Sequence, residues 1–288
     1  MSTGGERLRE RTQVKTIEVN GTGLHYVERG EGLPVVFVHG GLGDFRTWLP
    51  QVEAFSAHYR AISYSRRAHY PNAWPPDYTL SRMLLHVEDL AAFIEGLGLG
   101  RTHVVGNSYG SYISLHLALE YPHLVHGLAL AEPPVHPLLR SLPGGEEMFE
   151  DFMRDAWGPA GEAFGRGDLE GGTRLFVAGA VGPGQWDKLS PRVREAMLKD
   201  APELAVATHT PFETHMPPLA CDDLARIEAP VLLLRGEHSP RMYALINDEL
   251  ARCLPRAEQA TVPGASHVLH AHNQEAHDRL VLGFLAGC

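Results

Sequence analysis

Short apolar runs separated by amphipathic stretches, in a pattern that breaks once and then resumes, constrain this chain more than any other feature. Pro34–Val38 and Val231–Leu234 are continuous apolar runs of strand length, as expected for strands buried on both faces. Val14–Val19 and Leu24–Glu28 are β-rich segments joined by the turn-forming Asn20-Gly21-Thr22-Gly23. Arg60–Tyr64, His103–Val105, Val125–Ala131 and Glu258–Val262 complete the set of strands. Between them the apolar spacing becomes helical. Trp48, Val52 and Phe55 mark one helix within Phe45–His58. Met83, Leu84, Val87, Leu90, Phe93 and Ile94 mark a second, with Thr79 or Ser81 as its expected cap and its end at Gly96–Gly100. Tyr109–Glu120, Arg241–Leu254 and Asn273–Leu285 follow. This alternation predicts an α/β fold, a mostly parallel eight-stranded sheet with helices on both faces.

The alternation stops after Glu132. From Pro133 to Leu219 the chain is rich in Pro, Gly, Trp and Met, with helical fragments near Glu146–Trp157, Leu169–Ala180 and Pro191–Lys199. The expected organisation is a core domain in two parts, residues 1–132 and 221–288, around a helical cap at 133–220.

Composition narrows the function classes. The chain of 288 residues carries a net charge of −10 with histidine neutral, so a polyanion such as nucleic acid is not an expected partner. The longest apolar runs fall far short of the roughly 18 residues that suggest a membrane span. Met1–Arg11 is polar and lacks the apolar stretch of a secretory signal. Cys221, Cys253 and Cys288 form no close-spaced pair and read as free thiols in a reducing compartment. Together these features predict a cytoplasmic protein, monomeric or homodimeric, acting on a small molecule. The 17 histidines read as scattered surface and packing residues. His267, His270 and His272 cluster in sequence, but no metal-binding helix or knuckle accompanies them, so no metal is expected.

Gly106-Asn107-Ser108-Tyr109-Gly110 carries the sharpest chemical signal. It matches G-x-S-x-G between a strand and a helix, where a serine sits on a tight turn and only small residues two positions either side avoid a clash. The pattern is expected by chance about 0.1 times in a chain of this composition. The following helix presents its N-terminus to developing negative charge. A second glycine-rich loop, His39-Gly40-Gly41-Leu42-Gly43, follows the third strand. It can aim backbone N–H groups at one point, and the amides of Gly41 and Tyr109 are the expected oxyanion donors.

With V-V-F-V-H-G-G at 35–41, V-V-G-N-S-Y-G at 104–110, P-V-L-L-L-R-G-E at 230–237 and V-P-G-A-S-H at 262–267, the chain resembles the α/β-hydrolase superfamily over essentially its whole length. The resemblance implies a catalytic triad with Ser108 as nucleophile and His267 as base. The acid is where this chain departs from the common pattern. Most members place an Asp after the seventh strand, and here Gly236-Glu237-His238-Ser239 puts Ser239 at that position. Some branches, including certain haloalkane dehalogenases and zearalenone-type lactonases, place the acid directly after the sixth strand. Here that strand runs into Glu132-Pro133-Pro134. Glu132 is the expected acid and Glu237 the alternative. The order Ser108, Glu132, His267 agrees with this fold.

A serine at the elbow, where dehalogenases and epoxide hydrolases of this fold use Asp, argues for acyl transfer. The expected function is that of a carboxylesterase or lactonase, cleaving an ester-type bond of a small, largely apolar substrate through an acyl-enzyme without cofactor or metal. A C–C bond hydrolase, a non-hydrolytic lyase or cyclase and a ligand-binding receptor are the alternatives. Leu42 of the oxyanion loop and Trp157 and Trp186 in the cap are expected to line the substrate site. Arg67, with Arg66 beside it, is a candidate to bind a substrate carboxylate.

Overall fold

The computed structural model describes residues 13–288; the polar start at Met1–Arg11 lies outside the described residues. Eight strands form one sheet: β1 (Lys15–Val19), β2 (Thr22–Arg29), β3 (Pro34–Val38), β4 (Arg60–Tyr64), β5 (Thr102–Asn107), β6 (Val125–Ala131), β7 (Val231–Gly236) and β8 (Ala257–Val262). Their order is β1-β2-β4-β3-β5-β6-β7-β8. Only β2 runs against its neighbours; every pairing from β4 to β8 is parallel. Asn20 and Gly21 both have positive φ, the geometry of the two-residue hairpin turn that pairs Val19 with Thr22.

The central strands read as continuous apolar runs because both faces are covered. Val36, Val38 and Val104 pack into one core, while Val35, Phe37 and Val105 pack into the other. Around the sheet lie α1 (Leu49–Phe55), α2 (Met83–Gly96) and α3 (Tyr109–Glu120). The span between β6 and β7 is helical: α4 (His136–Leu139), α5 (Gly145–Phe152), α6 (Gly158–Gly165), α7 (Leu169–Ala180), α8 (Gln185–Lys188), α9 (Pro191–His209), α10 (Phe212–His215) and α11 (Cys221–Leu224). The core then resumes with α12 (Arg241–Cys253), α13 (Leu269–His272) and α14 (Gln274–Leu285). Among the described residues no helix is long and apolar enough to cross a membrane.

Several elements differ from the sequence reading. The stretch from Phe45 opens as a 3₁₀ turn, Phe45–Trp48, capped by the Asp44 side chain, before α1 begins. Neither Thr79 nor Ser81 caps α2, which starts at Met83 behind Arg82; the Ser81 hydroxyl donates instead to Glu203, 2.6 Å away in α9. Helix α9 runs ten residues beyond the expected Lys199, through Pro202, because it packs along α6 and α7. A π-helical turn at Met153–Trp157 joins α5 to α6 and swings Trp157 inward.

The cysteine reading is corrected by the structure. Cys221 and Cys253 form a disulfide, and Cys288 alone is free. Their Cα atoms are 5.0 Å apart because α11 packs beside the end of α12, within the reach of such a bond. Their sequence separation of 32 hid the pairing, and with it goes the basis for assigning a reducing compartment.

Candidate active site

The candidate residues come from loops at the carboxyl ends of adjacent parallel strands, where the strand order reverses between β3 and β5. Strand β5 delivers Ser108 at the centre. On one side β3 delivers the glycine loop, and on the other β6 delivers Glu132.

Ser108 has φ 52° and ψ −124°, a conformation that an L-residue adopts only under constraint. The flanking glycines make it possible. A Cβ on Gly110 would lie 2.2 Å from the Val38 carbonyl oxygen, and one on Gly106 would lie 2.7 Å from the Ser111 backbone. The turn is held by Ser108 N–H donating to the Ala131 carbonyl at 2.8 Å and by the Ser111 hydroxyl donating to the same oxygen at 3.0 Å.

The two expected oxyanion donors are oriented through their own peptide planes. In a trans peptide C=O and N–H point in opposite directions. The Gly40 carbonyl accepts from His39 Nδ1–H at 2.8 Å and from the Arg66 guanidinium at 3.2 Å, so the Gly41 N–H of the same peptide is turned away from both. His39 Nε2 accepts the Arg66 backbone N–H at 2.9 Å, which fixes the imidazole tautomer. Likewise the Ser108 carbonyl accepts from Ser111 and Tyr112 inside α3, leaving the Tyr109 N–H facing out of the helix start. Gly41, Ser108 and Tyr109 line one cavity of about 40 Å³.

Glu132 is fully buried, and with φ 48° it too adopts a left-handed backbone. Its Oε2 accepts from His267 Nδ1–H at 2.7 Å, and its Oε1 accepts the Gly236 N–H at 2.7 Å. The bond at Nδ1 leaves Nε2 as the imidazole's basic nitrogen. Glu237 points elsewhere, accepting the exposed Gly264 N–H at 2.7 Å. Tyr243 of α12 stacks on His267 with ring centroids 4.3 Å apart. Its hydroxyl lies 3.4 Å from Nε2 and 3.0 Å from the Ala180 carbonyl at the end of α7. Burial and the charge of Glu132 push the Tyr243 phenol well above its usual range, so it is neutral and can donate. No hydrogen bond joins His267 to Ser108 in this state; Tyr243, which lines the cavity with Ser108, stands against the imidazole. Such contacts commonly tighten only when substrate is bound.

The expected lining residues divide. Trp157 faces the cavity together with Phe152, Phe176 and Phe212. Trp186 is buried under Arg194, away from it. Leu42 lines a separate, outer cleft of about 790 Å³ that shares the same walls: Gly41, Ala180 and Glu203 face inward, whereas Leu42, Val181 and Asp200 face outward. Arg67 is not at the cavity. It forms a buried two-pronged bond to Asp89, at 2.7 Å on each arm, and donates to the Asn20 carbonyl. Arg66 is buried against His86 and the Tyr109 ring and meets the glycine loop only through the Gly40 carbonyl.

Sequence reasoning missed four polar side chains of the cavity: His136, Glu203, His215 and Tyr243. For His136 and His215 the signal lay in the histidine count, since ten of the 17 histidines are buried rather than scattered over the surface; nothing comparable marked Glu203 or Tyr243.

A model of the alpha/beta hydrolase family matches residues 35–281. The chain belongs to that family. It is 35% identical over 118 residues to the (E)-2-((N-methylformamido)methylene)succinate hydrolase of Acinetobacter baylyi, a match covering 40% of this chain and 44% of the relative. The chain spans about half the length, or less, of several curated relatives it matches. Among solved structures it is similar to Est816, described as an N-acyl homoserine lactone degrading enzyme, with TM-score 0.75 and 23% identity over 94% of this chain and 100% of that one. It is also similar to the enol-lactonase of Burkholderia xenovorans LB400, with TM-score 0.76 and 20% identity over the same shares. At such identities these two share its fold.

Proposed function

We propose that this alpha/beta hydrolase cleaves an ester-type bond, in an ester or a lactone, of a small, largely apolar and uncharged substrate through an acyl-enzyme. The observation that carries the reading is the 2.7 Å bond between Glu132 and His267, whose imidazole stacks on Tyr243 of the cavity that also holds the strained Ser108. A serine with a paired imidazole beside it suits attack on a carbonyl. Ser108 Oγ gives its proton to His267 Nε2 and bonds to the carbonyl carbon. The oxygen that becomes negative is met by the N–H groups of Gly41 and Tyr109. His267 returns the proton to the departing alcohol oxygen, Glu132 supporting the imidazolium. Water then repeats the sequence on the acyl-enzyme and frees Ser108.

The walls support the substrate class. Phe152, Trp157, Phe176 and Phe212 make the cavity mostly apolar, and among the described residues no lysine or arginine lines it. Arg66 and Arg67 are both engaged elsewhere, Arg66 on the Gly40 carbonyl and Arg67 on Asp89. Members of the fold described as lactone-degrading are consistent with the reading. The test is labelling with a fluorophosphonate probe, expected on the wild type and lost in Ser108→Ala, together with turnover of short p-nitrophenyl esters and simple lactones. Absence of both labelling and turnover would overturn it.

A further inference from the structure

Resting on the ester-hydrolase reading, one residue of the cavity wall narrows the substrate further. His136 is 5% exposed and lines the cavity with Ser108, yet neither of its ring nitrogens has a hydrogen-bond partner. Its ring lies against Phe152, centroids 4.6 Å apart, with Phe212 beyond. The other polar groups of this wall are occupied: Glu203 accepts from Ser81 and Tyr78, and His215 meets Ser81 and Tyr109.

An imidazole held among aromatic rings with nothing to bond to is costly, and a phenylalanine there would serve packing better. Nor is its position accidental to the chain path. Pro133 and Pro134 fix the backbone directly after Glu132, and two tight turns, from Val135 N–H to Pro133 and from His136 N–H to Pro134, carry the ring to the cavity. Burial, with the neighbouring imidazoles of His267 and His215, pulls its pKa down to about 3, so at neutral pH it offers one N–H donor and one acceptor nitrogen and no charge.

We propose that His136 is a substrate-binding residue whose ring hydrogen-bonds an oxygen of the group held in this cavity, so that the enzyme selects uncharged oxygen-bearing substrates over hydrocarbon ones of the same shape. Sites that bond a substrate polar group discriminate strongly against the analogue lacking it, because their own polar atoms are then stranded.

Isosteric pairs test this on either side of the scissile bond: p-nitrophenyl methoxyacetate against p-nitrophenyl butyrate, and 2-methoxyethyl acetate against butyl acetate. The measured quantity is each pair's ratio of kcat/KM in wild type, His136→Phe, His136→Leu and His136→Gln. Comparing ratios cancels the intrinsic reactivity of each ester. At least one ratio is expected to fall about tenfold or more in the Phe and Leu variants, and to recover in part in the Gln variant, whose amide can still donate. The Phe or Leu variant is expected to melt no lower than the wild type, whereas a histidine serving structure alone would leave a less stable protein. Unchanged ratios in an active enzyme overturn the proposal and leave the hydrolase reading standing. A wild type as inactive as Ser108→Ala on all four esters overturns both.

Discussion

Glu132 and His136 stand four residues apart on one segment, both buried, and in opposite states of completion. The carboxylate has both oxygens bonded, one to His267 and one to the Gly236 backbone. The imidazole has neither nitrogen bonded. The difference separates what the fold finishes from what it leaves to a ligand. A group that must hold another side chain in place is satisfied by the protein before any substrate arrives. On the proposed reading, the imidazole that lines the cavity keeps its bonding capacity for the substrate. The same distinction separates Arg67, locked onto Asp89, from the wall of the cavity.

The largest expected effect falls on the finished side. Glu132→Gln retains the shape of the carboxylate but removes the charge that supports an imidazolium, and its amide can present a donor where an acceptor is needed. A loss of about 10³- to 10⁴-fold in kcat is expected, by analogy with the charge-removing change in serine triads. Glu237→Gln, whose carboxylate serves only the Gly264 amide, should stay within about twofold, the size of an ordinary surface effect. Steady-state kinetics on one short ester decide it. A reversed pattern would move the acid to the loop after β7 and dissolve the comparison.

A broader effect concerns the unpartnered and buried imidazoles. Burial is the main cause that depresses His86, His103, His116 and His215 to about 4 and His136 to about 3, and pushes His39 and His270 well down. In the unfolded chain these groups take up protons near pH 6.5; in the folded protein they do so only in stronger acid. Between those limits the unfolded state binds more protons, so stability is full above about pH 6.5 and declines as pH falls. Each such group contributes at most about 1.4 kcal/mol per pH unit. Thermal melts from pH 8 downward are expected to be level at first and then to fall steeply below about pH 6.5. His136→Phe should flatten that fall by the share of one proton. A melting temperature independent of pH down to about pH 4.5 would mean that these rings are charged or solvated in the folded protein.

Much of this was legible in the sequence, for reasons that differ by element. Strand β3 and the Val231–Leu234 part of β7 announce themselves because both of their faces are covered, so every residue there is apolar. The elbow is readable because its constraint is local: Gly106 and Gly110 are the residues a backbone carbonyl would otherwise strike. That Glu132 would be paired could be read because an acid buried directly after an apolar strand needs a partner, and the parallel sheet places His267 beside it. What depends on the meeting of distant helices was not readable. Tyr243 is the one aromatic of α12, and nothing in the sequence marks it until the fold stacks it on His267. Trp157 and Trp186 look alike in sequence, and only the π-helical turn before α6 turns one of them inward. The Cys221–Cys253 bond follows from the packing of two helices rather than from any motif.

Arg67 supplies the smallest expected effect on catalysis and the cleanest control on the comparison. Its guanidinium is 7% exposed and its partner carboxylate 2%, so the pair is finished and shielded from water. Arg67→Ala would leave Asp89 buried without its counter-charge, a change that costs about 3–5 kcal/mol of stability in buried pairs. The substrate cavity, which neither residue lines, should not register the difference. The ratio of kcat/KM for a neutral ester to that for an otherwise matched acidic ester is therefore expected to hold within about twofold, even as the melting temperature drops. Asp89→Asn provides the converse arm, removing the acid while keeping the arginine. If Arg67 were reaching a substrate carboxylate, freeing it from Asp89 would raise activity on the acidic ester, and Arg67→Ala would abolish that preference. A finished ion pair predicts neither: both variants lose stability, and both leave the choice between the two esters where the wild type has it.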